Sequence, residues 1–206
     1  MTDFLPEMSL FDKTGDRLYL NQEERTRFLT AANRETPAKR VFCHLLHYTG
    51  CRLSEALEVH PGRVQAEEGV IVIRTLKQRK TDFKGNLKPP KFRAVPVPDR
   101  LLEQIDLVFD LRRLLKSKKD KDQPLWTFSR TTAWLTVKRV MARAEIEGAM
   151  ATTKGLRHGL GIALAMNKVS ATDIKSILGH SDTKTTEIYT RAIGSELREL
   201  ASRTWT

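Results

Sequence analysis

Two cysteines in 206 residues, Cys43 and Cys51, are too few for a disulfide-stapled scaffold, and reduced thiols are the expectation. No stretch approaches the roughly 18 consecutive apolar residues of a membrane-spanning helix. The N-terminal region has acidic and basic groups where a secretory leader would need an apolar core, so a cytoplasmic protein without a membrane partner is expected. Acidic residues are also under-supplied: 25 Asp and Glu face 36 Lys and Arg, a formal net charge of +11. Such an excess draws polyanions by long-range attraction and by release of their counterions. What the chain does have is core material, 40% hydrophobic residues, enough for one domain in which about 70% of the unfolded surface is buried.

The charge is clustered. Between Lys77 and Arg93, seven basic residues (Lys77, Arg79, Lys80, Lys84, Lys88, Lys91 and Arg93) face the single acid Asp82. Between Arg112 and Lys121, six (Arg112, Arg113, Lys116, Lys118, Lys119 and Lys121) face only Asp120. Two such clusters, separated by apolar helical sequence, could flank one duplex-sized cleft. Arg79, Lys80, Lys84, Lys88, Lys91, Arg93, Lys116, Lys118, Lys119 and Lys121 are therefore candidates for contact with the DNA backbone. A dense charge run without an apolar face disfavours a membrane surface.

Residues 1–20 lack a sustained period and read as an arm or irregular packing segment. Asn21 with Glu24 forms a capping box that opens a helix running to about Ala32. Thr36 as cap and Pro37 in the first turn open the next, with Val41, Leu45 and Tyr48 as its apolar stripe. Around Val70–Thr75 the period changes to alternation with β-branched residues, which predicts a strand. A partner strand is expected over Phe92–Val97, a brief one at Arg63–Gln65, and a long basic hairpin connection between the two main strands. Helices are expected at Asp99–Leu115, Thr131–Ala144, Gly155–Asn167, Thr172–Leu178, around Thr183–Ala192 and in the tail from Ser195 to Leu200. The expected fold class is mainly α with a small three-stranded antiparallel β-sheet.

Three segments concentrate chemistry. Thr49-Gly50-Cys51-Arg52-Leu53-Ser54-Glu55-Ala56-Leu57 puts an arginine at a helix start after a glycine turn, with Glu55 three positions on to orient it. Lys154-Gly155-Leu156-Arg157-His158 places a second basic group at the start of a helix apolar enough to be core, which would hold it rigidly. Leu178-Gly179-His180-Ser181-Asp182 delivers a histidine at a corner, nine residues before Tyr189.

In this order the segments resemble the three motifs of the catalytic domain of the tyrosine recombinases, the phage-integrase family. TGCRLSEAL resembles the first arginine box, GLRH the second, and LGHSDTKTTEIYT the box with histidine and nucleophilic tyrosine; the resemblance spans about residues 20 to 195. It implies DNA strand cleavage and rejoining through a covalent 3′-phosphotyrosine, for integration, excision or inversion, with no metal and no cofactor. Carried over by residue, it makes Arg52 and Arg157 the pair on the scissile phosphate, Tyr189 the nucleophile, His180 the second histidine, and Glu55 and His158 supporting groups. A lysine of the hairpin protonates the leaving oxygen; Lys77 fits best, with Lys80 the competitor. It also implies double-stranded DNA as partner, with a free monomer assembling into a tetramer on paired sites, and a 21–194 catalytic domain followed by a 195–206 tail whose Ile193, Leu197 and Leu200 stripe could dock on a neighbouring protomer.

The sequence departs from the family at two points. Lys154 stands where the family often has histidine and is carried over as a catalytic residue that still supplies a cation and proton donor, although a lysine amine is ordinarily a poor base at neutral pH. Only about 20 residues precede the first helix, where typical members carry a separate helical domain, so the chain resembles small recombinases without that domain. A catalytically inactive DNA-binding regulator or accessory protein on the same scaffold is the alternative, and a principal role in relaxing supercoiled DNA a further one. Cys43, His44, His47 and Cys51 invite a zinc reading, but His44 and Cys51 would face different sides of their helix and turn, and no metal is expected.

Overall fold

A computed structural model describes residues 9–77, 81, 83, 85–180, 186, 188, 189, 201, 202, 204 and 205. Three helices open the fold: α1 (Gln22–Ala32), α2 (Pro37–Thr49) and α3 (Leu53–Leu57). After one 3-10 turn come β1 (Val64–Gln65), β2 (Val70–Thr75) and β3 (Lys91–Pro96), and then α4 (Asp99–Phe109), α5 (Leu111–Lys116), α6 (Arg130–Arg143), α7 (Thr153–Met166) and α8 (Ala171–Leu178). The described chain is thus mainly α with one three-stranded antiparallel sheet of order β1-β2-β3, as the sequence predicts. In register, Ile71 pairs with Val95 and Ile73 with Arg93. Ile71, Ile73 and Val95 are fully buried and join the sheet to the helices.

Local chemistry explains most boundaries. Asn21 accepts from the Glu24 amide while the Glu24 carboxylate accepts from the Asn21 amide, so both free donors at the start of α1 are satisfied. Two expectations need correction. Thr36 occupies the cap position of α2 without a side-chain cap hydrogen bond, which leaves Pro37 as the local start signal. The helix expected over Asp99–Leu115 is broken at Asp110, which adopts left-handed backbone (φ 53°) and separates α4 from α5. Aspartate is among the residues that tolerate this conformation.

The core has two parts. The larger is built on α1, α2, the sheet, α4 and α6, with Phe42 and Phe109 set edge-on against Trp126. The smaller gathers Leu10, Tyr19, Leu160, Ile162, Ile174 and Leu178 around Tyr189. The described part of the N-terminal segment is therefore packed: Leu10, Tyr19 and Leu20 are buried, and the Leu20 amide donates to the Gly155 carbonyl at 3.1 Å. Arg25 is buried as well. It donates to the Leu156 carbonyl from Nη1 and, from Nη2, to the His47 carbonyl, tying α1 and α2 to the start of α7. Among the described residues no helix is long and apolar enough to cross a membrane.

Candidate active site

Arg52 is the residue before α3. Its amide donates to Glu55 Oε2 and its Nη1 to Glu55 Oε1, both at 3.0 Å. The same carboxylate receives Arg93 Nη2 at 2.7 Å, so two guanidinium groups share one fully buried acid. Burial by itself would raise the Glu55 pKa, but Arg93 and Arg52 outweigh it and hold the carboxyl below its ordinary value. Arg93 was a candidate for the DNA backbone on the sequence, and the structure corrects this. Its side chain is 7% exposed, and besides Glu55 it donates to the Ile177 carbonyl and to Thr75 Oγ1. It fastens the sheet to α3 and to the end of α8.

This clamp has a measurable consequence. Arg93→Ala leaves a buried carboxylate short of its strongest partner, a loss of about 3–5 kcal/mol and roughly 6–20 °C in thermal midpoint. Because the folded pKa of Glu55 is depressed, its stabilisation is complete above the unfolded carboxylate value and is lost as pH falls through the folded value. Glu55→Gln removes that part of the acid destabilisation, which parallel melts of the variant and the parent at falling pH would reveal.

Arg157 lies in the first half of α7, behind a Thr152 side chain that caps the helix by accepting from the Gly155 amide. Its Nη1 donates to the Gly50 carbonyl at 2.8 Å, which anchors the turn that leads into Arg52. Among the described residues its buried Nη2 has no hydrogen-bond partner. Burial, and next the nearby positive charge of Arg52, lower the Arg157 pKa to about 10, which leaves it a cation at neutral pH.

Gly179 ends α8 in left-handed backbone (φ 70°), and Arg93 packs where a Cβ would stand. Lys175 O accepts from both the Gly179 and His180 amides, fixing the corner that carries His180. His180 Nδ1 bonds Thr186 Oγ1 at 3.0 Å, while Nε2 is buried and has no hydrogen-bond partner among the described residues. Its pKa is lowered to about 3, first by burial and then by Arg157 and Arg52, so the ring is neutral. Tyr189 stacks on it, with centroids 5.9 Å apart and planes at 24°.

The tyrosine is 1% exposed. Its ring lies against Gly161 of α7, where an added Cβ would fall 2.6 Å from Cζ, so this seat exists only because residue 161 has no side chain. The phenol bonds His158 Nδ1 at 2.8 Å. Burial pushes its pKa up to about 12, with Arg157 and Arg52 acting in the opposite direction.

The structure thus brings Arg52, Glu55, Arg157, His158, His180 and Tyr189 together. Lys77 is exposed just beyond β2 and lines, with Lys88, Lys91, Lys175 and His180, a cleft of about 970 Å³. Lys154 is exposed at the start of α7. Arg79, Lys80 and Lys84 lie outside the described residues. Lys116, Lys118, Lys119 and Lys121 are exposed but are not among the side chains lining the His180 cleft, so the two basic clusters do not share it. Lys175 is a cleft residue that sequence reading missed; its place one turn before Gly179, on the helix that delivers His180, was the available signal. The four residues set aside as a zinc site are otherwise engaged: His44 bonds Gln104, His47 contacts Arg25, and burial pushes the Cys43 and Cys51 thiols up to about 12 and 11.

Residues 18–195 match the phage integrase family. The chain belongs to that family. Among curated relatives, tyrosine recombinase XerA of Thermococcus kodakarensis is 29% identical over 189 residues, covering 87% of this chain and 60% of that protein. Tyrosine recombinase XerD of Staphylococcus saprophyticus is 28% identical over 167 residues, covering 78% of this chain and 52% of that protein. A crystal structure of XerA recombinase superposes with a TM-score of 0.70 at 26% identity, over 90% of this chain and 64% of that one. The catalytic domain of bacteriophage HP1 integrase shares the fold (TM-score 0.58, 23% identity) over 91% of this chain and 95% of that domain. This phage-integrase chain spans 52–60% of the length of these two curated relatives.

Proposed function

We propose that this chain cuts and rejoins DNA at specific sites by the tyrosine recombinase reaction, with Tyr189 as nucleophile. The observation that carries the reading is a pair of buried, unpartnered nitrogens, Arg157 Nη2 and His180 Nε2, beside the Arg52 guanidinium and the Tyr189 phenol. Buried donors without acceptors are costly unless a ligand completes them, and an anionic phosphate oxygen would do so. A guanidinium stays charged and presents a donor fork, so its hold tightens as negative charge builds on a five-coordinate phosphorus.

Attack forms the Tyr189 Oη–P bond and breaks the bond from phosphorus to the 5′ oxygen, which takes a proton from Lys77 at the cleft edge. The strand's bond energy is kept in the 3′-phosphotyrosine ester, so a second strand's 5′ hydroxyl can reverse the step without ATP. A phenol that is 1% exposed cannot touch DNA, so its covering opens as the duplex seats on the basic cleft, with the Oη contact to His158 kept. XerH, a fold relative, has been crystallised on its difH substrate before and after cleavage, in keeping with duplex DNA as partner here.

The test is a nicked duplex taken from DNA flanking the gene, whose cut strand loses a short fragment and cannot be resealed. A band of protein-linked DNA on a denaturing gel supports the reading; binding without covalent product would instead make the chain a DNA-binding regulator. The family's tetramer on paired sites is part of the proposal, with residues 1–20 as an N-terminal segment packed, where described, on the smaller core, 21–194 as catalytic domain and 195–206 as exchange tail. Ile193, Leu197 and Leu200 of the tail stripe lie outside the described residues. Deleting 195–206 is expected to spare single-site cleavage and impair complete recombination between two sites; full recombination by the shortened chain would remove the tail from the account.

A further inference from the structure

Activating Tyr189 requires a group that takes its proton. The residue at the family's usual position, Lys154, is exposed, and the cations that act electrostatically on the phenol are Arg157 and Arg52. His180 meets the tyrosine ring to ring and directs Nδ1 to Thr186. The group on the phenol oxygen is His158, one helical turn beyond Lys154, at 2.8 Å. Its ring is buried on α7, and Nε2 has no hydrogen-bond partner among the described residues.

We propose that His158, rather than the lysine at position 154, accepts the Tyr189 proton during attack and returns it during rejoining. The inference rests on the recombinase reading above. In the forward step the Oη–H bond breaks, the proton moves to His158 Nδ1, the Oη–P bond forms, and the departing 5′ oxygen is protonated from the lysine. Rejoining runs each transfer backwards, and no co-reactant is needed.

The surroundings suit this role. The charged and titratable groups that act on the imidazole are Lys154 and Arg157 from its own helix, His180 from the corner after α8, and Tyr189, which it touches. Arg25 of α1 donates to the carbonyl of Leu156, two residues before His158, and contacts His47 of α2. Burial, followed by Lys154 and Arg157, lowers the His158 pKa to about 3, so the ring is neutral in the physiological range, and the proposed role takes the tautomer with its proton on Nε2 and the Nδ1 lone pair accepting from the phenol. A phosphate seated on Arg157 offsets that cation, and the charge gathering on phosphorus favours an imidazolium beside it. Basicity at His158 thus rises as the transition state forms.

Single-turnover cleavage of the nicked duplex, followed from pH 6 to 9 for the full chain, H158A and H158N, separates the possibilities. Both variants are expected to be slower by about 10²–10⁴-fold, because an amide can hold the phenol but cannot take its proton. Their rates should climb by about tenfold per pH unit as hydroxide takes over, against a flat parent profile, and added imidazole should restore part of H158A activity. Thermal melts and gel shifts on the same duplex show that the variants fold and bind. Parent-like cleavage by H158A, parent-like cleavage by H158N, or an unchanged pH profile would each overturn the proposal. Absence of covalent product from the parent chain would instead overturn the recombinase reading itself.

Discussion

Tyr189→Phe is expected to form no covalent complex on a nicked duplex while still shifting that duplex in a native gel. The substitution removes one oxygen from a ring that keeps its seat against Gly161 and its stack on His180. The hydrogen bond lost is the one to His158, a stability cost of about 1 kcal/mol. The cationic cleft of Lys77, Lys88, Lys91 and Lys175 is untouched, and phosphate contacts dominate DNA affinity. Cleavage and binding therefore separate cleanly in this variant: trapping falls to background, and the salt dependence of binding stays that of the parent. Residual covalent product would mean that another side chain attacks phosphorus.

The second large effect belongs to Arg157. Half of its fork, Nη1, holds the Gly50 carbonyl and so the turn before Arg52; the other half, Nη2, is the unpartnered donor. Arg157→Ala thus removes a transition-state donor and loosens its fellow arginine at once. Removing a single neutral donor of this kind typically costs about 10²–10³ in rate, roughly 3–4 kcal/mol, and the loss here should reach or exceed the upper end. Lysine is not expected to rescue it, because one ammonium cannot serve the Gly50 carbonyl and a phosphate oxygen in the geometry of a planar fork. Equilibrium DNA affinity should fall much less than the single-turnover rate. Equal losses in both would assign Arg157 to binding alone.

How much of this was legible in the sequence depends on how local the cause is. The start of α1 was readable because both halves of its capping box lie within four residues. β2 was readable from its β-branched alternation, and the site motifs because each is a short run at a helix end. Most of what escaped depends on contacts between distant segments. Asp110 breaks the expected long helix although its neighbours look helical. Arg93 sits in a basic run that reads as solvent-facing, yet Glu55, 38 residues earlier, draws it inside. The burial of Tyr189 has no local signature either. It follows from Gly161, whose missing Cβ admits the ring, and from His158, 31 residues away along the chain. A glycine three positions after a histidine on an apolar helix was the only hint available.

The most direct measurement is mass spectrometry of the trapped protein–DNA complex after proteolysis and nuclease digestion. The account predicts a nucleotide joined through its 3′ phosphate to the peptide containing Tyr189, and to no other peptide. A nucleotide on a different residue, or a cut duplex whose ends are both free of protein, would contradict it.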